Sequence, residues 1–368
     1  MKRTKTVIVA LVMLAVLLAT TLLAACSSPA PAPSPTGAAK PTAAAPAAKQ
    51  PFDMVIYGAS SGGSSYIISA GIADLINKNS TWLHASAEAT IGSNDDIMKG
   101  MDDPALRRAA LRMASNSAYF DALEGNKPFP RKITDLKAIF WQQAAPGFFV
   151  SVKPTIAKKE DLVGKKVVVG QELSAVRQFS EFIIRDCWGM WDKINAQPMG
   201  WNDGGKAVLD GLADAVQAVS SLGLKGEWLS HPSYAEIVAS RDSYIIGPTE
   251  AEVAAGNKKA NRSYGWVSIP AGALGKNQKN DSGGFLVMNE YYVYPEFPDE
   301  VVAEILRIVY EQNDKLGGYH ALGRGLTRER LGWLSSEKST AEVHSVAIKF
   351  FQDKKIQLVL AGGADPAK

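Results

Sequence analysis

FDMVIYGASSGGSSYIISAGIADLINK, residues 52–78, divides into three pieces. Phe52 to Tyr57 is a short apolar run and predicts a strand. Gly58 to Ser65 contains only Gly, Ala and Ser and predicts a loop. From Tyr66 to Lys78, Ile68, Ile72, Leu75 and Ile76 recur at helical spacing. The same unit returns further on. Lys165-Lys166 leads into Val167-Val168-Val169, then Gly170-Gln171-Glu172-Leu173-Ser174, then an apolar helical pattern through Phe179, Ile183 and Ile184. Asp161 to Gly164, just before it, predicts a short helix and turn. Ala138 to Trp141, Gly147 to Val152, Tyr244 to Ile246 and Phe285 to Met288 are further strand candidates. Helices are expected over Asp203 to Leu212, Tyr234 to Ala239, Asp299 to Leu316 and Thr340 to Gln352, with Asp299 as an N-cap. Strands alternating with helices predict an α/β fold with largely parallel sheets.

A Gly/Ser loop between strand and helix can hold an anion. The first N–H groups of a helix lack intrahelical partners and sit at the positive end of its dipole. Glycine lets backbone approach a ligand, and serine adds hydroxyl donors. A carboxylate or phosphate suits such a pocket. Two such loops can face one cleft from two lobes; each can equally be a plain turn of small residues.

The N-terminus predicts the compartment. Lys2, Arg3 and Lys5 precede an apolar run from Val7 to Ala19, and Leu23-Ala24-Ala25-Cys26 follows. This is the pattern of a secretory signal, with 1–25 as its expected extent. Residues 26–51, rich in Ala and Pro, predict a disordered tether. The chain carries 40 basic and 37 acidic residues, and without Lys2, Arg3 and Lys5 the two balance. That balance gives no support for nucleic-acid binding. Cys187 is the only cysteine besides Cys26, so no disulfide can form once Cys26 is lipidated. Its length of 368 residues favours two domains.

Catalytic signals are sparse. Gly58-Ala59-Ser60-Ser61-Gly62 matches G-x-S-x-G, the nucleophile elbow of α/β-hydrolases, with Asp281 and His344 in the expected chain order. Yet the elbow would sit on the first strand of the body, with no earlier strands to build an oxyanion hole. His84, His231, His320 and His344 are scattered, so no metal centre is expected, and no motif predicts a cofactor. Arg177, one turn beyond Ser174, is either a partner for a ligand carboxylate or an exposed helix charge. Trp141, Trp201 and Trp266 either line a cleft or pack in the core.

Several segments, in order, resemble the TAXI-type solute-binding proteins of TRAP (tripartite ATP-independent periplasmic) transporters. They are Tyr57 to Tyr66 with the helix ending Ala73-Asp74-Leu75-Ile76-Asn77-Lys78, then Ser115-Asn116-Ser117-Ala118-Tyr119, then Asp161 to Gly170. Asp210-Gly211 through Asp214-Ala215, His231-Pro232, Ile269-Pro270-Ala271-Gly272 and Val343 to Phe351 continue the series. Leu23 to Cys26 similarly resembles the bacterial lipobox, in which Cys26 would carry the lipid. The resemblance implies a two-lobed, type II periplasmic-binding-protein-like α/β fold with a hinge and an interlobe cleft. Lobe one would hold 52–148 and 285–368, and lobe two 149–284, with crossings near Gly147–Val152 and Phe285–Met288. It also implies a non-enzymatic receptor outside the membrane, anchored through Cys26, that passes a small organic anion or amino-acid-like solute to TRAP permease subunits. A lipid-anchored serine hydrolase and a lipoprotein feeding a sensor kinase are the alternatives. The loops and the resemblance together nominate Ser60, Ser61, Gly62, Gly63, Ser64, Tyr66, Ser115, Asn116, Ser174, Ala175 and Gly272 as ligand-binding residues. Departures fall on ligand-side positions: Ser115 where Gln is usual, Ser174-Ala175-Val176 for Ser-Gly-Thr, Ile91-Gly92-Ser93 for Thr-Gly-Gly, Ala273-Leu274 for a tyrosine, and an apparent insertion from Gly223 to Ser230. They leave the solute undefined.

Overall fold

Strand β1 (Phe52–Tyr57) runs parallel between β2 (Leu83–Glu88) and β3 (Ala110–Ser115). The computed structural model in which they lie describes residues 49–361 apart from Gly62, Leu173, 223–227, His231 and Ser263. Cys26, the signal and most of the tether therefore fall outside the described residues, as does the nominated Gly62. Helix α1 (Ser64–Asn79) returns over the sheet and buries Ile68, Ile72, Leu75 and Ile76, the periodic set. It comes so close that a Cβ on Gly58 would stand 2.8 Å from Ser69 Cβ. Helices α2 (Ser93–Met98) and α3 (Pro104–Ala109) lead into β3, and α4 (Asn116–Glu124) leaves it.

Next comes β4 (Lys137–Ser151), 15 residues and almost wholly buried. The two strands expected at Ala138–Trp141 and Gly147–Val152 are this one strand. Pro146 does not break it, because pairing to β7 (Ala215–Leu222) begins only at Gly147, leaving one edge open where a proline is tolerated. Downstream lie β5 (Lys166–Val168), α5 (Ala175–Glu181), β6 (Asn195–Gln197), α6 (Trp201–Leu209), β8 (Trp228–Ser230), α7 (Pro232–Ser240), β9 (Tyr244–Ile246), α8 (Glu250–Ala260) and β10 (Gly265–Ile269). Then β11 (Ser282–Val293) crosses back, far longer than the expected Phe285–Met288. Helices α9 (Asp299–Gln312) and α10 (Ser345–Lys354) complete the first half. Pro298, not Asp299, is the N-cap of α9, and Asp299 opens its first turn.

One sheet runs through the molecule in the order β2-β1-β3-β11-β4-β7-β5-β6. Its outer members are parallel within each half, but β4 and β11 are antiparallel to their neighbours, so the sheet is mixed rather than largely parallel. On β4, Phe140 belongs to a core with Ile56, Ile72 and, from α9, Val302 and Ile305, whereas Phe149 belongs to a core with Val167, Phe179 and Phe182. On β11, Tyr291 lies in the first core and Phe285 in the second. A further core around Phe148, Val150 and Val168 lies at the Phe149 end of β4, and separate cores joined by two long strands make the expected two-lobed α/β fold, with β4 and β11 as the connections.

The C-terminal segment is fastened to β11 by buried polar groups. Tyr292 Oη lies 2.6 Å from Glu290 Oε2 and 2.9 Å from Glu337 Oε1. A hydroxyl has one proton to give, so one carboxyl must itself be protonated. Burial raises the pKa of both, consistent with that requirement.

Candidate functional site

Register brings three polar residues to one level of the sheet between the two cores. Asn289 of β11 stands opposite Gln143 of β4 on one side and Ser115 of β3 on the other. The first turn of α1 meets them. Gln143 Nε2 donates to Ser64 Oγ at 3.2 Å and Ser65 Oγ at 3.0 Å, and Asn289 Nδ2 donates to Ser65 Oγ at 3.1 Å. Deeper, Gln142 Nε2 donates to Ser65 O and to Tyr291 Oη, which also bonds Ser69 Oγ. These contacts fix the N-terminus of α1 over the connecting strands.

Ser115 is the N-cap of α4: its Oγ accepts from Ala118 N–H at 3.4 Å and bonds Ser117 Oγ at 2.9 Å. Its own N–H donates to Ser93 Oγ at 3.2 Å. The starts of α1 and α4 therefore converge on a row of buried, uncharged polar side chains. Asn94 Oδ1, Asn116 Oδ1 and Gln143 Oε1 are buried with no hydrogen-bond partner among the described residues. Such a site presents helix N–H dipoles to an anion and free acceptors to a donor.

Sequence reasoning nominated Ser64, Ser115 and Asn116, and the structure brings them together. Ser60 and Ser61 lie on the exposed loop leading to α1, and Tyr66 is half-buried in its first turn. Gly63 has φ −76° and ψ 148°, an extended conformation open to any residue, so its backbone does not require glycine. The loop's unusual residue is Ala59, at φ +63°. Ala59 N–H donates to Asp96 Oδ2 at 3.0 Å, and Thr90 N–H donates to Ala59 O at 2.9 Å. Asp96 also accepts from Thr90 Oγ1.

Burial pushes the Asp96 carboxyl up to about 8, against the weaker opposing effect of those hydrogen bonds. The folded protein thus holds a proton that an unfolded Asp releases near pH 3.8. The stabilisation is fully present below that pH and is lost as pH rises toward about 8, at roughly 1.4 kcal/mol per pH unit. Asp96→Asn should flatten this slope, gaining on the native chain as pH goes from 5 to 8. Urea unfolding across that range measures it; parallel pH profiles would show that Asp96 is ionised in the folded state.

In the second lobe, Ser174 is the N-cap of α5. Its hydroxyl donates to Gln171 O at 2.6 Å and accepts from Arg177 N–H at 3.2 Å. Ala175 follows at the helix start. Gly170, at φ +85°, lets α5 approach, for a Cβ there would be 2.6 Å from Arg177 N. Arg177 is already engaged: Nε donates to Glu181 Oε1 at 2.7 Å and the guanidinium lies over Trp191. Gly272 is exposed in the turn after β10, in a segment tied to Asp281 and Gln278 of the same lobe. Its carbonyl accepts from Gly275 N–H at 3.2 Å, within that turn.

The residues of the hydrolase reading have other partners. Asp281 Oδ1 accepts from Ala271 N–H at 2.7 Å, while His344 Nδ1 accepts from Val346 N–H at the start of α10 and its Nε2 faces Asp299 at 3.6 Å. Trp141 is core, stacked on Trp333 at 5.5 Å; Trp201 Nε1 donates to Gln217 Oε1 and Trp266 Nε1 to Pro248 O. Among the described residues no cluster of three His, Cys, Asp or Glu could hold a metal, and no helix is long and apolar enough to cross a membrane. Sequence reasoning missed Ser65, Asn94, Gln143 and Asn289. The available signal was polarity where none was expected, Gln142-Gln143 and Asn289-Glu290 flanked on both sides by apolar residues.

No curated protein sequence matches the chain. Solved structures resemble it at low identity. The periplasmic aliphatic sulphonate binding protein SsuA from Escherichia coli is 12% identical, with 83% of this chain and 84% of that one covered at a TM-score of 0.44. A TctC solute binding protein from Polaromonas is 14% identical, with 76% and 88% covered at 0.44. The periplasmic binding protein BugD is 10% identical, with 84% and 99% covered at 0.48. A family model, by contrast, spans most of the sequence: over residues 56–354 the match is to the NMT1-like family, and the chain belongs to that family.

Proposed function

We propose that this protein is an extracytoplasmic solute-binding receptor, anchored by lipid on Cys26, that captures a small carboxylate-bearing solute and delivers it to a TRAP-type permease. The observation that carries the reading is the convergence of the α1 and α4 N-termini on the buried row Ser65–Gln143–Asn289–Ser115, at the junction of two lobes. Helix N–H groups and serine hydroxyls would take the carboxylate. In the amide orientation that lets Gln143 donate to both serines, the unpartnered Asn94 Oδ1, Asn116 Oδ1 and Gln143 Oε1 remain as acceptors. They favour a solute that also carries N–H or O–H donors, such as an amino acid, since an unmet buried acceptor costs about 1–3 kcal/mol. The lobe limits at 148/149 and 284/285, and Ser174 with Ala175 as the facing wall, belong to the same proposal.

Trp188, Trp191 and Trp201 pack at the edge of the second core, so their fluorescence can report lobe movement. Screening carboxylates and amino acids against the mature chain should yield a saturable change with no turnover. Consumption of the solute, or silence across the panel from protein shown to be folded, would oppose the reading. Cys26→Ser should separately shift the protein from the membrane fraction to the soluble one. Retention on membranes after a salt wash would contradict the lipid anchor.

A further inference from the structure

One buried carboxylate takes partners from both lobes. Asp121 lies on α4, in the first lobe, and its side chain is only 6% exposed. Asn126 Nδ2, from the same lobe, donates to its Oδ1 at 3.0 Å. The other partners come from the second lobe. Gln178 Nε2, on α5, donates to Oδ2 at 3.1 Å, and Arg262, just past α8, pairs with Oδ1 through Nη2. Both α4 and α5 start within about a turn and a half of this contact, so it lies close to their N-termini.

The second-lobe side is packed into its own core, and Tyr264 there also hydrogen-bonds Ser117 of the first lobe. Tyr264, two residues after Arg262, packs against Phe182 at 4.4 Å and Phe285 at 5.1 Å between ring centroids. Asp186, the other acid that acts on Arg262, is already paired with Arg185 at 3.1 Å and Lys259 at 3.9 Å. If the lobes part, Asp121 keeps Asn126 and gives up both partners from the opposite lobe. A largely buried, hydrogen-bonded ion pair is screened far less by salt than a surface pair. Removing one partner leaves the other charge uncompensated, so the contact is strongly directional toward closure.

We propose that Asp121, Gln178 and Arg262 form an interlobe clasp that sets the ratio of closed to open forms, and hence the affinity for solute. They act as positioning residues, not as solute contacts. The link to affinity rests on the capture reading above; the clasp itself can be read with no solute present.

The test is pulsed electron spin resonance on the mature chain carrying Cys26→Ser and Cys187→Ser. Nitroxides go on Lys78→Cys in α1 and Lys206→Cys in α6, both exposed. Without solute, the otherwise native chain should show mainly the shorter interlobe distance. Arg262→Gln and Asp121→Asn should each lower the closed-to-open ratio about tenfold, the effect of losing a charge-assisted hydrogen bond. Arg262→Lys, which keeps the charge, should lower it less. Unchanged distance distributions in Arg262→Gln and Asp121→Asn, with circular dichroism showing both folded, would overturn the proposal. Should either fail to fold, Gln178→Ala decides by the same criterion, a shift supporting the clasp and no shift refuting it. If the distances shift as expected while no solute in the fluorescence panel ever binds, the clasp stands and the capture reading falls.

Discussion

Gly283→Val should cost the protein more than about 4 kcal/mol of stability, the range reached only by severe overpacking. A Cβ on Gly283 would stand 2.1 Å from Pro248 O and 2.5 Å from Trp266 Nε1. The reciprocal approach is tighter still, with a Cβ on Gly247 only 1.8 Å from Gly283 O. Two backbones touch here, where β11 begins in the second lobe, so no rotamer change relieves the clash. Gly265→Ala is the control, since its Cβ would meet Leu286 Cβ at an ordinary 3.4 Å. It should cost under about 1 kcal/mol, in keeping with a substitution away from any tight contact. Urea unfolding followed by far-UV circular dichroism compares the three proteins. A Gly283→Val midpoint equal to that of Gly265→Ala would mean that β11 and the segment after β9 do not pack this closely.

Asn289→Leu should weaken solute binding by roughly a hundredfold, the equivalent of about 2.7 kcal/mol. Leucine has nearly the same size but cannot donate to Ser65, and it faces both Gln143 and Ser115 across the strands. The change therefore removes polar contact and places an apolar group at the centre of the row. Ser65, no longer held by Asn289, would lose its alignment to the carboxylate, and one such contact to a charged solute accounts for about 1.5–3 kcal/mol of this. Gln143→Leu should act similarly, because its amide holds both serines of the first α1 turn. Folding should survive in each case. Titration by tryptophan fluorescence, using whichever solute the screen identifies, gives the ratio. Binding at native strength in both variants would remove the row from the site.

The opening strand–loop–helix was legible because hydrophobic spacing changes there from a short apolar run to a helical period. Gly58, the first residue of that loop, serves close packing of α1, as Gly170 does for α5. Reading along the sequence therefore found the loops that open both helices, but for an incomplete reason. Strand β4 was unreadable as one element because Gln142-Gln143-Ala144-Ala145-Pro146 interrupts its apolar run. Those glutamines are polar because they support the first turn of α1, so the interruption itself marked the candidate site. No local pattern could pair Gln143 with Asn289: their proximity comes from antiparallel register between strands far apart in sequence. Arg177 has two readings, and in the structure it is half-buried, paired with its i,i+4 partner Glu181 and stacked over Trp191. Ser174 stands before a helical pattern and Ser115 is nominated by the family resemblance alone; both are N-caps, a role the sequence cannot separate from ligand contact.

A crystal structure of the mature chain with its bound solute tests the central claim most directly. The solute should lie between the lobes, with its carboxylate at the α1 and α4 N-termini and within hydrogen-bond distance of Ser64 or Ser65 and of Asn116, and with any donor group facing Gln143. A solute seated elsewhere, for example in the surface groove lined by Lys206, Asp210, Glu236 and Arg241, with the polar row untouched, would contradict the account.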